Sequence, residues 1–172
     1  MLRTLLLTVG LSGLTITLVF LTTAAIQLLS KTPKIKFYTD KQCPYLYVKL
    51  PTRATKGSAG YDIYLPRSLA FPAKSLVIVD TGIKVKIPEG FVMNLYPRSS
   101  IGIKKQLMLA NTVGIIDSDF HDTIKLAIYN YGTETVTLKA NERIAQAVTT
   151  FYITDGKKVH TARNGGIGST GR

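Results

Sequence analysis

The run Ile83-Lys84-Val85-Lys86-Ile87, Pro88-Glu89-Gly90, Phe91-Val92-Met93-Asn94-Leu95 decides the fold class. Apolar and lysine residues alternate from 83 to 87, the period-two signature of a strand with one wet face. Pro88-Glu89-Gly90 breaks the run, and a second β-rich stretch follows. The same grammar repeats outward. Val77-Ile78-Val79, Ile124–Tyr129, Thr135–Leu138 and Ala145–Phe151 read as further strands. Breaks fall at Lys56-Gly57, Pro66, Pro72 and Tyr131-Gly132-Thr133. This spacing is that of a sandwich or barrel, so the domain is expected to be all-β. Ser99–Lys105 is the one place after residue 30 where a short helix fits, and no internal repeat is present.

Composition bounds the rest. The chain has 172 residues, and residues 5–29 carry no charge. The expected organisation is a hydrophobic transmembrane or signal-like segment at 1–30, a β domain at 31–160 and a glycine-rich arm at 161–172. With six Phe and no Trp, the core is expected from Ile, Val, Leu and Tyr. The net charge of +12 attracts nucleotides, nucleic acid or anionic lipid. Its lysines are scattered rather than clustered, so no nucleic-acid partner is expected. One cysteine, Cys43, and two histidines, His121 and His160, exclude a disulfide framework and a Cys- or multi-His zinc centre.

As a helix, Leu5–Leu29 would be about 38 Å long, enough for a hydrocarbon core of about 30 Å. Arg3 precedes it and Lys31, Lys34, Lys36 and Lys41 follow, which puts the domain on the cytoplasmic side if the segment spans. A signal peptide cleaved near Thr23-Ala24-Ala25 and an unused upstream start are the alternatives.

Five segments carry more chemistry than a plain sandwich requires. Gly57-Ser58-Ala59-Gly60-Tyr61-Asp62 leads two glycines into an acid. Tyr96-Pro97-Arg98-Ser99-Ser100 offers a guanidinium fork and two hydroxyls to a phosphate. Asn111-Thr112-Val113-Gly114-Ile115-Ile116-Asp117-Ser118-Asp119-Phe120 combines an amide able to read a base edge, a glycine for close approach, acids and a ring. Glu142-Arg143-Ile144-Ala145-Gln146 follows. Last comes Gly165-Gly166-Ile167-Gly168-Ser169-Thr170-Gly171, with Arg163 before it and Arg172 after, a composition suited to closing over a phosphate group. Each has a structural alternative: Asp62 a turn cap, Arg98-Ser99-Ser100 a helix cap, Asn111 a turn residue, Phe120 a core ring, Arg143 an ion pair.

The order of the five segments resembles the trimeric dUTP pyrophosphatases, bacterial and phage members above all, from about Tyr47 to Arg172. That resemblance implies a jelly-roll-like β subunit of a homotrimer with shared active sites, hydrolysing dUTP to dUMP and pyrophosphate with Mg²⁺. It implies Asp117 as the acid that activates water. Arg98, Ser99, Ser100 and Gln146 become phosphate contacts, and Asn111 and Gly114 the uracil site. Phe120 becomes the ring against the sugar, and Asp62 an acid supporting a hydrated metal through water. Arg163, Ile167, Gly168 and Ser169 become the closing arm.

Three departures stand out. Phe120 replaces the usual Tyr, Ile167 the usual stacking Phe, and Asp122 a usual Gly. Ile167 and Asp122, together with the hydrophobic segment, keep open a nucleotide-switched binding protein on the same scaffold. The related dCTP deaminases are disfavoured, because Ala127 stands where their catalytic Glu would be.

Overall fold

The computed structural model describes residues 15, 17–22, 34–157, 159–161, 163, 165 and 166. The chain divides into two units, Met1–Lys34 and Ile35–Arg172. In the first, residues 15 and 17–22 are helical, with exposed Leu18, Val19, Phe20 and Leu21. Most of the span expected at 5–29 lies outside the described residues. Among the described residues no helix is long and apolar enough to cross a membrane.

The second unit is β throughout, apart from one short helix. Its strands are β1 (Lys36–Thr39), β2 (Tyr61–Tyr64), β3 (Leu69–Phe71), β4 (Leu76–Asp80), β5 (Ile83–Lys86) and β6 (Phe91–Pro97). Helix α1 (Ser99–Lys105) follows β6. Then come β7 (Leu107–Leu109), β8 (Gly114–Ile116), β9 (Lys125–Asn130), β10 (Val136–Leu138) and β11 (Arg143–Phe151). All pairings are antiparallel: a four-stranded sheet β2-β11-β6-β8, a three-stranded sheet β4-β9-β7, and the pairs β1-β5 and β3-β10.

The alternation read at 83–87 works as expected: Ile83 and Val85 are buried, and the lysines face outward. Both larger sheets turn their apolar faces into one core. Met93, Leu95, Ile63, Ala145 and Ala147 come from one sheet and Val79, Leu107, Leu109, Leu126 and Ile128 from the other. Each fully buried Leu or Ile contributes about 1.5–3 kcal/mol. Aromatic packing differs from expectation. Tyr64 is the only buried tyrosine among the described residues, while Phe71, Phe120 and Met93 fill core positions.

Two turns fix the frame. Buried Asn130 donates to the carbonyls of Phe71 and Glu134, both at 2.8 Å, and accepts from Gly132 N at 2.9 Å. That satisfies a polar side chain which would otherwise be costly in the core. Between β4 and β5, Asp80 Oδ1 accepts from Gly82 N at 2.9 Å and Thr81 Oγ1 donates to Ile124 O at 2.7 Å. Gly82 has φ 67°, and a Cβ there would run into Cys43 Sγ.

Candidate active site

Strand β2 enters the site through a loop that closes on itself. Arg53 Nε donates to Ser58 O at 2.6 Å, and its Nη2 donates to Lys56 O. Ser58 Oγ accepts from Thr55 N at 3.0 Å and lies 2.8 Å from Thr55 Oγ1. The stretch from Arg53 to Ser58 resembles bacterial and phage family members, but the partners of Arg53 stayed hidden in the sequence, because they are backbone carbonyls that any residue supplies.

Asp62 follows in β2, opposite Gln146 in β11. It is 7% exposed and gripped from two sides. Arg98 Nε lies 2.9 Å from Oδ1 and Arg143 Nη1 3.2 Å from Oδ2. Arg98 is the residue before α1, but its side chain makes no cap there. It turns to the acid instead, so the cap alternative fails. Arg143 is an ion-pair partner, and the acid it needs is the one in the first motif. Gln146 Nε2 donates to Pro97 O at 3.4 Å, and a Cβ at Gly60 would stand 3.0 Å from Gln146 Oε1. Gly60, Asp62, Arg98, Ser99 and Gln146 thus line one cavity of about 380 Å³. Ser100 faces a neighbouring cleft.

The third motif builds the other end. Asn111 sits in the tight turn between β7 and β8, with Val113 N donating to Asn111 O at 2.6 Å. Gly114 opens β8 opposite Leu95 of β6, and an added Cβ there would lie 3.0 Å from Leu95 Cδ1. Asn111, Gly114, Phe120, Lys125, Ala127 and Arg163 line a cavity of about 300 Å³. Lys125 was not singled out, and Ala127 only as the position of a missing deaminase Glu, though their spacing along β9 puts them on one face. Phe120 is both core and lining: 6% exposed, with the Arg163 guanidinium 5.3 Å from its ring centre.

Asp117 and Asp119 are exposed and flank a further opening of about 690 Å³. Arg163 Nη1 lies 2.9 Å from an oxygen of each. The hydrogen bond to Asp117 does most to hold this guanidinium more firmly protonated than usual, with that to Asp119 adding to it and burial opposing. Among the described residues Asp117 Oδ1 has no hydrogen-bond partner, which leaves one oxygen for water. Beyond Phe120, Asp122 pairs with Lys125 at 3.0 Å and accepts from Thr123 N at 2.7 Å. Both bonds hold its carboxyl below the usual range, the Lys125 bond most. Ile167, Gly168 and Ser169 lie outside the described residues.

The two ends do not face each other. Asp62 and Gln146 pair across one face of the four-stranded sheet, while Leu95, against which Gly114 packs, points into the core from the other. The residues expected to grip phosphate and those expected to read the base line separate cavities. Among the described residues no cluster of three His, Cys, Asp or Glu side chains is placed to hold a metal. Asp62 already accepts an arginine on each oxygen. It retains lone pairs for a metal-bound water, which fits a hydrated Mg²⁺ held chiefly by substrate phosphates.

A family model described as dUTPase matches residues 46–171. The deoxyuridine 5'-triphosphate nucleotidohydrolase of Escherichia phage T5 is 47% identical over 107 residues, 58% of this chain and 71% of that protein. The crystal structure of dUTPase from Streptococcus mutans superposes with a TM-score of 0.62 at 34% identity, covering 70% of this chain and 98% of that one. A dUTPase from phage phi11 of S. aureus, described with a structural Mg(II) ion, has the same fold. Its TM-score is 0.63 at 21% identity, over 74% of this chain and 97% of that one. Matched through nearly all of its β domain and through both ends of the site, this chain belongs to the dUTPase family.

Proposed function

We infer that this chain hydrolyses dUTP to dUMP and pyrophosphate. The observation that carries the reading is the pairing within one family scaffold of a guanidinium–hydroxyl–amide grip with a glycine-floored pocket and a water-accessible acid. Arg98, Ser99, Ser100 and Gln146 bind the triphosphate, and Asp62 sets the angle of Arg98. Asn111 and the backbone at Gly114 read the uracil edge, and Phe120 packs against the deoxyribose, leaving no room for a 2′-hydroxyl.

Asp117 takes a proton from the attacking water. The water oxygen bonds to phosphorus, and the bridging oxygen of the α–β anhydride departs with its electron pair. Arginines neutralise the charge that develops. Mg²⁺, when bound, adds charge neutralisation on the phosphates. Arg163 occupies Asp117 and Asp119 here. A γ-phosphate is a competing partner, and capturing Arg163 would free the acid for water while drawing Gly168 and Ser169 over the nucleotide.

The separation of the two half-sites supports a homotrimer in which each site takes its phosphate end and its base end from different chains. The lysines after residue 30, and a substrate made inside cells, support a cytoplasmic domain. Residues 5–29 are proposed as its tether.

Pyrophosphate release from dUTP by the full chain tests the reading, with Asp117→Asn as the decisive variant. Turnover falls roughly 10²–10⁴-fold while dUTP binding persists. Near-normal turnover removes Asp117 from the mechanism. Nucleotide binding without turnover by the unaltered chain makes it a nucleotide-switched binding protein instead.

A further inference from the structure

A second cleft, of about 480 Å³, opens behind the phosphate grip, between α1, the end of β2 and the turn that leads into β11. Its volume lies within the range of small-ligand sites. Lys49, Arg98, Lys104, Lys105 and Arg143 line it, with Tyr64 as a wall. These are five cations from three separate stretches of chain. The carboxylate among the lining residues, Glu142, accepts from the backbone N–H of Lys139 at 2.7 Å. Among the described residues no carboxylate lies in ion-pair range of Lys49, Lys104 or Lys105.

Asp62 ties down one N–H of each arginine from outside the cleft. A guanidinium has five such donors, so the rest stay available while the planes are held. Like charges gathered this closely repel, and an anion of several charges converts that repulsion into attraction.

The character of the wall narrows the ligand. Tyr64 is 8% exposed, and Lys49 Nζ stands 4.0 Å over its ring centre. The face that would stack a base is therefore taken by a cation. Among the described residues no other aromatic side chain lines the cleft. The chemistry suits phosphate without a base.

We propose that this cleft is a second anion site, binding a short inorganic phosphate chain such as pyrophosphate or tripolyphosphate while nucleotide occupies the active site. It shares Arg98 with the half-site described above and Ser100 with the proposed triphosphate grip, and stands otherwise on residues to which the hydrolysis assigns no part. Pyrophosphate, the leaving product of the proposed reaction, is the natural occupant. The link to that product rests on the dUTP reading; the anion site does not.

The test is calorimetric titration of tripolyphosphate into the full chain saturated with the α,β-imido analogue of dUTP. One further tripolyphosphate binds per chain. Its affinity falls at least tenfold in Lys104→Glu/Lys105→Glu, while the affinity for the analogue stays within twofold. Lys49→Met, which keeps the side-chain stem over Tyr64, weakens tripolyphosphate alone. Absence of binding beyond the analogue, or binding indifferent to all three lysines, overturns the proposal. If the analogue itself does not bind, the nucleotide reading fails. Tripolyphosphate titrated into the unliganded chain and the lysine variants then decides the cleft separately.

Discussion

Replacing Asp62 by Asn keeps the volume of the side chain and removes the charge that holds two arginines. The acid side chain is 10% exposed, Arg98 26% and Arg143 44%. Losing one partner of a fully buried pair costs about 3–5 kcal/mol, and of an exposed pair about 0–1 kcal/mol. Arg98, closer at 2.9 Å and drier, should lose about 1–2 kcal/mol, and Arg143, at 3.2 Å and nearly half wet, about 0–1 kcal/mol. The sum is about 1–3 kcal/mol, or a fall in Tm of roughly 2–12 °C for a chain of this size. Thermal unfolding at one fixed protein concentration measures it, since the proposed assembly would make Tm concentration-dependent. Cycles of Asp62→Asn with Arg98→Met and with Arg143→Met should give the larger coupling at Arg98. A Tm within about 1 °C of the parent, or a larger coupling at Arg143, would show that the geometry of this triad does not set its energetics.

Gly82→Ala forces a left-handed residue to carry a Cβ, costing about 1–2 kcal/mol, and drives that Cβ into Cys43 Sγ. Its loss should shrink by about 1 kcal/mol in a Cys43→Ala background, and equal losses in denaturant unfolding of the two would rule out the clash. Lys125 and Thr123 lower the carboxyl pKa of Asp122 in the fold. Its stabilisation is therefore complete above the ordinary value of 3.8 and lost as pH falls through the folded value. The Tm gap between the parent and Asp122→Asn should hold at neutral pH and close below about pH 4; a gap that persists in acid contradicts this. Ile167→Phe restores a ring able to stack on uracil, worth about 1–3 kcal/mol, and should lower the dUTP KM about fivefold or more. An unchanged KM would mean that the arm closes through backbone contacts alone.

Strands with a clean period were legible. Val77–Val79, Ile83–Ile87, Phe91–Leu95, Ile124–Tyr129, Thr135–Leu138 and Ala145–Phe151 correspond to β4, β5, β6, β9, β10 and β11, with ends shifted by one or two residues. The helix at Ser99–Lys105 is also where it was expected. Strand β2 was hidden because a buried acid interrupts its apolar run, and Asp62 is tolerated there only through two arginines distant in sequence. Strands β3, β7 and β8 are three residues long and carry no polar–apolar alternation, whereas β10, equally short, is announced by the alternation Thr135-Val136-Thr137-Leu138. In the site, residue types suggested a phosphate grip at Arg98 and a base reader at Asn111, while the expectations for Asp117 and Gln146 came from the family resemblance. What stayed invisible was partnership across sequence: Arg98 and Arg143 sharing one acid, Arg163 bridging two, Lys49 lying on Tyr64.

The self-closed loop at 53–58 has a consequence for survival in a cell full of proteases. It is exposed and carries two basic residues, Arg53 and Lys56, the usual profile of a nicking site. A trypsin-like enzyme must draw a basic side chain into its specificity pocket and attack the carbonyl of that same residue. The Arg53 guanidinium is already committed to two carbonyls, and one of them is the Lys56 carbonyl that would be attacked. Cleavage at either residue therefore requires the loop to open first, so a segment that looks vulnerable in sequence is sheltered by its own arginine.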